Sequence, residues 1–464
     1  MAVPFWVQDA IFYQIFPDRF ADGDPTTDPP NVQPWGAPPT INGFQGGDLR
    51  GIIQKIDYLL DLGINAIYLN PIFQSPSVHR YNTTSYYEID PKLGTLADFH
   101  ALIQVAHQNN IRVILDGVFN HTGRGFFAFT DLLENQEKSP YKDWYTVLSY
   151  PVDAYTPGEA RDYLAWWKIK SLPKLNTTNP AVRSYLLGVA RYWIEQGIDG
   201  WRLDVPNEID DDAFWAEFRS IVRSINPEAY LVGEIWEADP RWANDTHFDG
   251  LMDYPFRTAV LGLLGKTMPA SAFASRIEAV MGMYPRANTY AMLQLLGSHD
   301  VERFATLMEG DLRKIQLGFL IQFALPGAPS VYYGDEIGLE GGKDPDNRRA
   351  FPWDPAAWRP GMLELTRLLI SLRKRLPALR RGSYLRLLAD DARGCLAFAR
   401  VLGDEKVVVA LNASSTRRSL KIPVASLGMP DGHILQNLLG PGEYYVTGTE
   451  LGVILEPWTG LWLA

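Results

Sequence analysis

One cysteine, Cys395, stands among 464 residues, so no internal disulfide can form. No stretch is long and apolar enough to span a bilayer, and Met1 to Ala10 shows no basic segment followed by an apolar run of the exporting kind. A soluble, cytoplasmic protein without a membrane partner is the expectation. Basic charge is also scarce. The net charge is −11, and the densest basic cluster, Arg373-Lys374-Arg375, reads most simply as a solvated helix end. A nucleic-acid partner is therefore not expected. Internal repeats and low-complexity tracts are absent as well.

The chain is too long for one ordinary core, whereas a barrel of about 250 residues or more with appendages fits it. Aromatic residues make up 12%, with 14 Trp, a supply suited to stacking on sugar rings, although most such side chains in proteins fill cores. Short β-rich runs alternate with longer helix-like segments, which predicts parallel βα units. Strands are expected at Ile11 to Phe16, Ala66 to Leu69, Val113 to Asp116, Gly200 to Leu203, Tyr230 to Gly233, Gly250 to Met252, Leu293 to Leu296 and Ser330 to Tyr333. Helices are expected at Leu49 to Leu62, Leu96 to Asn109, Ala181 to Gln196, Asp212 to Ile225 and Leu312 to Phe323. The fold class is thus α/β, a (β/α)8 TIM barrel over residues 1–120 and 180–380. Residues 121–179 lose the period and read as a small domain inserted after the third strand. Residues 381–464 turn β-rich, as in Lys406 to Asn412 and Ser419 to Pro423, and predict an all-β C-terminal sandwich.

Four carboxylates fall at the ends of these strands: Asp116, Asp204, Glu234 and Asp300. Burying a charge is costly unless it is paired, so acids recurring at strand ends imply a shared acidic mouth of the kind that cleaves carbohydrate. Each has polar company. His121 follows Asp116, His299 precedes Asp300, and Arg202 lies two before Asp204, which puts both on one face of a strand.

The motifs Asp116-Gly117-Val118-Phe119-Asn120-His121, Gly200-Trp201-Arg202-Leu203-Asp204, Gly233-Glu234-Ile235-Trp236 and Gly297-Ser298-His299-Asp300 are together highly specific. With them the chain resembles the α-amylase family of retaining glycoside hydrolases. Within it the sequence is most similar to the neopullulanase, cyclomaltodextrinase and maltogenic amylase group, through Leu172-Pro173-Lys174-Leu175-Asn176, Leu296 to Asp300, and Gly341 to Arg349. That group usually carries a β-domain before the barrel, whereas here the first strand begins almost at Met1. Leu172, Pro206 and Glu237 stand where the group usually or often has Met, Ala and His.

The resemblance implies Asp204 as nucleophile, Glu234 as acid/base and Asp300 as the carboxylate that grips sugar hydroxyls. It also implies a substrate-binding set of His79, Tyr81, Asp116, His121, Arg202, Trp236, His299, Asp344 and Arg348. Of these, Asp116 is expected to brace Arg202, and Trp236 to stack on the sugar beyond the cut or simply to pack. On physical grounds Arg202 is expected to hold Asp204 ionised, while burial beside Ile235 and Trp236 favours a protonated Glu234. Hard oxygen ligands gather at Asp22, Asp24, Thr27, Asp28, Gly46 and Asp48. The group often binds Ca2+ there, although Asp22 and Thr27 replace its usual Asn, and a plain Asp-Gly turn is the alternative. The implied activity is retaining hydrolysis of α-1,4-glucosidic bonds in an α-glucan, with α-1,6 bonds and transglycosylation in reach. A 4-α-glucanotransferase and a catalytically inactive glucan-binding protein are the competing readings.

Overall fold

The computed structural model describes residues 3–464. Eight short parallel strands form its centre: β1 (Phe12–Ile15), β2 (Ala66–Leu69), β3 (Arg112–Gly117), β4 (Gly200–Leu203), β5 (Tyr230–Gly233), β6 (Gly250–Leu251), β7 (Leu293–Leu295) and β8 (Ala328–Tyr332). They pair in the order β6-β5-β4-β3-β2-β1-β8-β7, and a parallel bridge between Met252 and Leu293 joins the two ends into a barrel.

Side chains alternate across each strand, and the burial follows that period. Phe12, Ala66, Tyr68, Ile114, Tyr230, Val232, Leu293, Leu295 and Ala328 share one cluster that fills the barrel interior. Their neighbours Tyr13, Ile67, Leu69, Val113, Leu115, Trp201, Leu203 and Leu231 belong to a second cluster shared with the surrounding helices. The inward parity runs on past the apolar layers, from Ile114 to Asp116 and from Val232 to Glu234. The charged groups therefore emerge at the C-terminal rim.

The expected helix Leu49 to Leu62 is two helices, Leu49–Gln54 and Ile56–Leu62, joined at Lys55. The apolar pattern continues through the join, so periodicity does not register it. The first piece is held by its Asp48 cap and by Gly51, whose position against Ala21 leaves no room for a Cβ. The other expected helices are Leu96–Gln108, Pro180–Glu195, Asp212–Ile225 and Leu312–Ala324, each within a residue or so of the reading above.

Between β3 and the helix Pro180–Glu195 the chain makes one shorter helix, Phe127–Asn135, several short turns, and bridges that tie His121 to Lys174 and Tyr145 to Leu175. After Arg381 come β9 (Ser383–Asp390), β10 (Cys395–Leu402), β11 (Glu405–Asn412), β12 (Arg418–Pro423), β13 (Ile434–Gln436), β14 (Glu443–Thr447), β15 (Glu450–Leu455) and β16 (Thr459–Leu463). They form two four-stranded sheets, β9-β10-β11-β16 and β12-β15-β14-β13, around an apolar layer that includes Val408, Ile422 and Leu451. Among the described residues no helix is long and apolar enough to cross a membrane.

Candidate active site

Arg202 lies at the centre of the barrel mouth and is fully buried. Parallel register sets it opposite Asp116 on β3 and Val232 on β5. Its Nη1 donates to Asp116 Oδ1 at 2.8 Å and to Asp204 Oδ1 at 3.0 Å. Its Nη2 lies 3.1 Å from Glu234 Oε2 and 3.8 Å from Asp300 Oδ2. One guanidinium thus faces four carboxylates. Burial alone would weaken its hold on a proton, but Asp116 and Glu234 raise its pKa well above the ordinary value.

The carboxylates share that cation unequally, which departs from the division expected above. Glu234 faces three donors: Val205 N–H at 3.0 Å, Trp236 Nε1 at 3.1 Å and the Arg202 guanidinium. Among the described residues the Asp204 carboxylate accepts one hydrogen bond, from Arg202, and burial, then the charge of Glu234, pushes its carboxyl well above the usual range. Arg202 therefore does not single out Asp204 as the ionised partner. The reason is geometric, since both ends of one fork are occupied by different acids.

Val205 adopts φ 35 and ψ 51, left-handed backbone that is unusual for a β-branched residue. This turn immediately after Asp204 aims the Val205 N–H at Glu234. Trp236 extends Glu234's shelf outward, 45% exposed and stacked on Tyr254 with ring centroids 3.9 Å apart.

Asp116 is buried and also accepts from Tyr68 and Tyr81 hydroxyls at 2.6 and 2.8 Å, so it braces Arg202 and lies out of reach of the cleft. Tyr81 stacks between His79 and His299. The Gln14 amide nitrogen can only donate, so His299 Nδ1 accepts from it and Nε2 carries the proton towards Tyr81 and Asp300. His121 Nε2 donates to the Tyr81 carbonyl at 3.1 Å, and Asn120 Nδ2 lies 3.2 Å from its Nδ1. Both histidines belong to the substrate-binding set that the resemblance implies, yet their ring nitrogens are already engaged within the protein and they are almost wholly buried. Burial lowers the pKa of His121 to about 3 and that of His79 to about 4, so both are neutral near pH 7. Arg348 pairs with the half-exposed Asp344 at 3.2 Å and donates through Nε to the His299 carbonyl at 3.0 Å.

The sequence reading missed Gln14, Tyr68, Val205, Tyr254 and Asn70, the last of which accepts from Gln14 Nε2 at 3.0 Å and donates to the Tyr81 hydroxyl at 3.1 Å. Gln14 carried a signal, being the polar residue inside an otherwise apolar strand. Val205 carried none, because valine does not announce left-handed backbone.

Asp300 sits at the rim with 26% of its side chain exposed, and burial, then the charge of Glu234, pushes it up to about 7. A carboxyl whose pKa rises on folding opposes folding once ionised. That penalty is absent below about pH 4 and complete above about pH 7. Asp300→Asn should therefore raise the melting temperature at pH 8, with ~2 kcal/mol of added stability after allowing for solvent screening. The gain should vanish by pH 4. Thermal unfolding of both proteins across this range checks it, and a pH-independent difference would sink the idea.

The loops after β1 bring Asp22, Asp24, Asp28 and Asp48 together. Asp48 binds backbone, its Oδ1 accepting from Gly51 and its Oδ2 from Gly23 and Asp24, which leaves Oδ1 with acceptor capacity. Asp24 accepts from Thr26 and lies 3.5 Å from Arg50, while Thr27 Oγ1 donates to the Asp24 carbonyl. Among the described residues Asp28 Oδ1 is buried without a hydrogen-bond partner, and it faces the space where a Cβ on Gly46 would be. Burial and mutual repulsion raise the pKa of Asp22 and Asp28. Among the described residues no three His, Cys, Asp or Glu side chains form a group ready to hold a metal.

Such a barrel, with acids at its C-terminal rim and an aromatic shelf beside them, defines a carbohydrate-active enzyme. Residues 14–369 match the model of the alpha amylase catalytic domain, and residues 384–462 match the neopullulanase-like C-terminal domain. The chain belongs to the α-amylase family of glycoside hydrolases. It is 44% identical over 458 residues to a cyclomaltodextrinase from Geobacillus thermopakistaniensis, covering 98% of this chain and 76% of that protein. Among solved structures it is similar to Ttha1563 from Thermus thermophilus, with 46% identity, a TM-score of 0.94 and 99% of each chain covered. It is also similar to the cyclic α-maltosyl-(1→6)-maltose hydrolase from Arthrobacter globiformis, with 40% identity, a TM-score of 0.90 and 100% of each chain covered.

Proposed function

We propose that the protein hydrolyses α-1,4-glucosidic bonds with retention in malto-oligosaccharides, starch, pullulan or cyclodextrins, accepts α-1,6 bonds as a second target, and transfers sugar units as a side reaction. The observation that carries this is the placement of Asp204 and Glu234 on neighbouring nitrogens of one buried guanidinium. Such a grip favours the close spacing of about 5–5.5 Å used by retaining enzymes over the wider gap that admits an attacking water. The names of the relatives, a cyclomaltodextrinase and a hydrolase of a cyclic maltosyl-maltose, support the substrate class.

In this reading Asp204 attacks the anomeric carbon while Glu234 protonates the departing glycosidic oxygen, which leaves a covalent glycosyl-enzyme. Glu234 then takes a proton from the water that releases the sugar. Asp300 grips ring hydroxyls and gains strength as positive charge develops on the ring. The Tyr81 ring, offset from the imidazoles of His79 and His299, borders the sugar, and Trp236 gives an aromatic face to the unit beyond the cut.

Incubation with maltotriose, pullulan, starch and cyclodextrins, followed by product separation and anomer detection by NMR, tests the reading. Short products that appear first as the α-anomer are expected. Chiefly longer oligosaccharides would make the protein a glucanotransferase, and no products at all would make it a binding protein.

For the loops after β1 we propose a structural calcium ion, supported by the orphaned Asp28 Oδ1 and the mutual repulsion of Asp22 and Asp28. Asp22, Asp24, Thr27, Asp28, Gly46 and Asp48 would hold it, with backbone oxygens completing a set that side chains alone do not supply. Calcium there offsets charge and takes no part in bond cleavage. A bound ion should add about 2.7 kcal/mol when free calcium is a hundred times its dissociation constant. A chelator is expected to lower the melting temperature, calcium to restore it, and Asp28→Ala to erase the difference. An unchanged melting temperature after verified metal removal would leave these residues as an Asp-Gly turn.

A further inference from the structure

A cleft of about 370 Å3 lies beside the turn that carries Asp344 and Arg348. Its walls come from two loops at the C-terminal rim, one following β1 and the other following β8. The first contributes Trp35, Pro38 and Pro39; the second contributes Asp346, Arg349 and Phe351. Both walls are held by the chain's own hydrogen bonds. The indole Nε1 of Trp35 donates to the Phe351 carbonyl at 3.1 Å across the two loops. Buried Gln45 anchors the first loop, donating to the Ala37 carbonyl at 2.7 Å and accepting from Gly36 N–H at 3.1 Å.

The lining selects for chemistry. Trp35 with the two prolines forms an apolar shelf of the kind on which the C–H face of a pyranose rests. Opposite it, Arg349 Nε and Nη2 each lie 2.8 Å from an oxygen of Asp346, a two-point planar pair that remains well over a third exposed. Its outer donors and acceptors lie in one plane, as the hydroxyls of a sugar ring require. Because Asp346 neutralises Arg349, an anion gains little here, and an aliphatic ligand would have to strip water from the ion pair. A neutral polyol with one apolar face satisfies both walls. The volume falls within the range of small-molecule sites, about 300–1,000 Å3.

Position then chooses among sugars. Asp344, Asp346, Arg348 and Arg349 belong to one turn. Arg348 reaches the carbonyl of His299, next to Asp300, while Arg349 faces the cleft. We propose that this cleft is a glucan subsite for the non-reducing continuation of the chain whose bond is cut at Asp204 and Glu234, one step beyond the sugar at Asp344 and Arg348. It rests on the functional reading above and extends it to chain length: the protein should prefer substrates long enough to span from the cut to Trp35.

Steady-state kinetics of the wild type, Trp35→Ala and Arg349→Ala on maltotriose and maltoheptaose test this. Maltotriose can be cut without entering the cleft and serves as the internal control. Both variants should lose about tenfold in kcat/KM on maltoheptaose, mainly through KM, and stay within about twofold of the wild type on maltotriose. Arg349→Ala keeps the Trp35 to Phe351 tie and so guards against loop collapse as the cause. Equal loss on both sugars, or no loss on either, overturns the subsite. Calorimetric titration of Asp204→Asn with maltoheptaose should give one molecule per chain, weakened by adding Trp35→Ala. Two molecules per chain, one of them lost with Trp35 while hydrolysis is untouched, would mark an independent surface site and overturn the proposal. Wild-type inactivity on both sugars would sink the functional reading and this subsite with it, whereas normal activity insensitive to both substitutions sinks the subsite alone.

Discussion

Asp204→Asn is expected to lower kcat on maltotriose by about 10⁴-fold or more, roughly 5 kcal/mol of transition-state stabilisation, while substrate affinity changes little. The amide keeps the shape and the contact with Arg202 but cannot attack the anomeric carbon. Nothing nearby can replace it. Asp116 is buried behind the guanidinium, Glu234 is required on the leaving group, and Asp300 stands at the rim. The protein should still fold, because Arg202 keeps Asp116 and Glu234 as partners. Kinetics with parallel calorimetric binding separates the outcomes: substantial residual turnover would remove Asp204 from the nucleophile's role.

Glu234→Gln is expected to be severe on natural glucans, on the order of 10²–10⁴-fold in kcat, because their leaving group departs as an alkoxide unless it is protonated. A glycosyl fluoride or nitrophenyl glycoside needs no such help. With it the first step should survive while the second, which needs Glu234 to deprotonate water, stalls. A burst of released leaving group and a glycosylated protein visible by mass spectrometry are therefore expected. If activated and natural substrates lose the first step equally, Glu234 is not the acid. The two substitutions together separate attack from protonation.

The barrel was legible because its physics is local and periodic. Apolar runs marked the strands, and the two-residue alternation that buries Ile114 and Val232 also sends Asp116 and Glu234 to the rim. Arg202 two before Asp204 was readable by the same parity. The partition of Arg202 among four acids was not, because Asp116, Glu234 and Asp300 reach it from other strands and only the assembled barrel brings them there. The break at Lys55 escaped for a related reason, since the contact between Gly51 and Ala21 that constrains the preceding piece lies outside the helix pattern. His121 and His299 looked like free donors because sequence shows a histidine but not the carbonyl or amide that occupies its ring nitrogens. The Trp35 cleft was hidden in two loops far apart in the chain, 316 positions between Trp35 and Phe351, whose meeting depends on the closure of β1 against β8.

The surplus of acids around Arg202 bears on how such a protein should be improved in the laboratory. Each carboxylate beyond the first adds charge that the fold must tolerate, so neutralising substitutions at Asp204 and Asp300 relieve it. A library screened only for heat resistance would enrich those very losses and return well-folded, inert proteins. Directed evolution of this scaffold therefore needs turnover measured in every round, with stability sought far from the barrel mouth, for instance among the surface positions of β9 to β16.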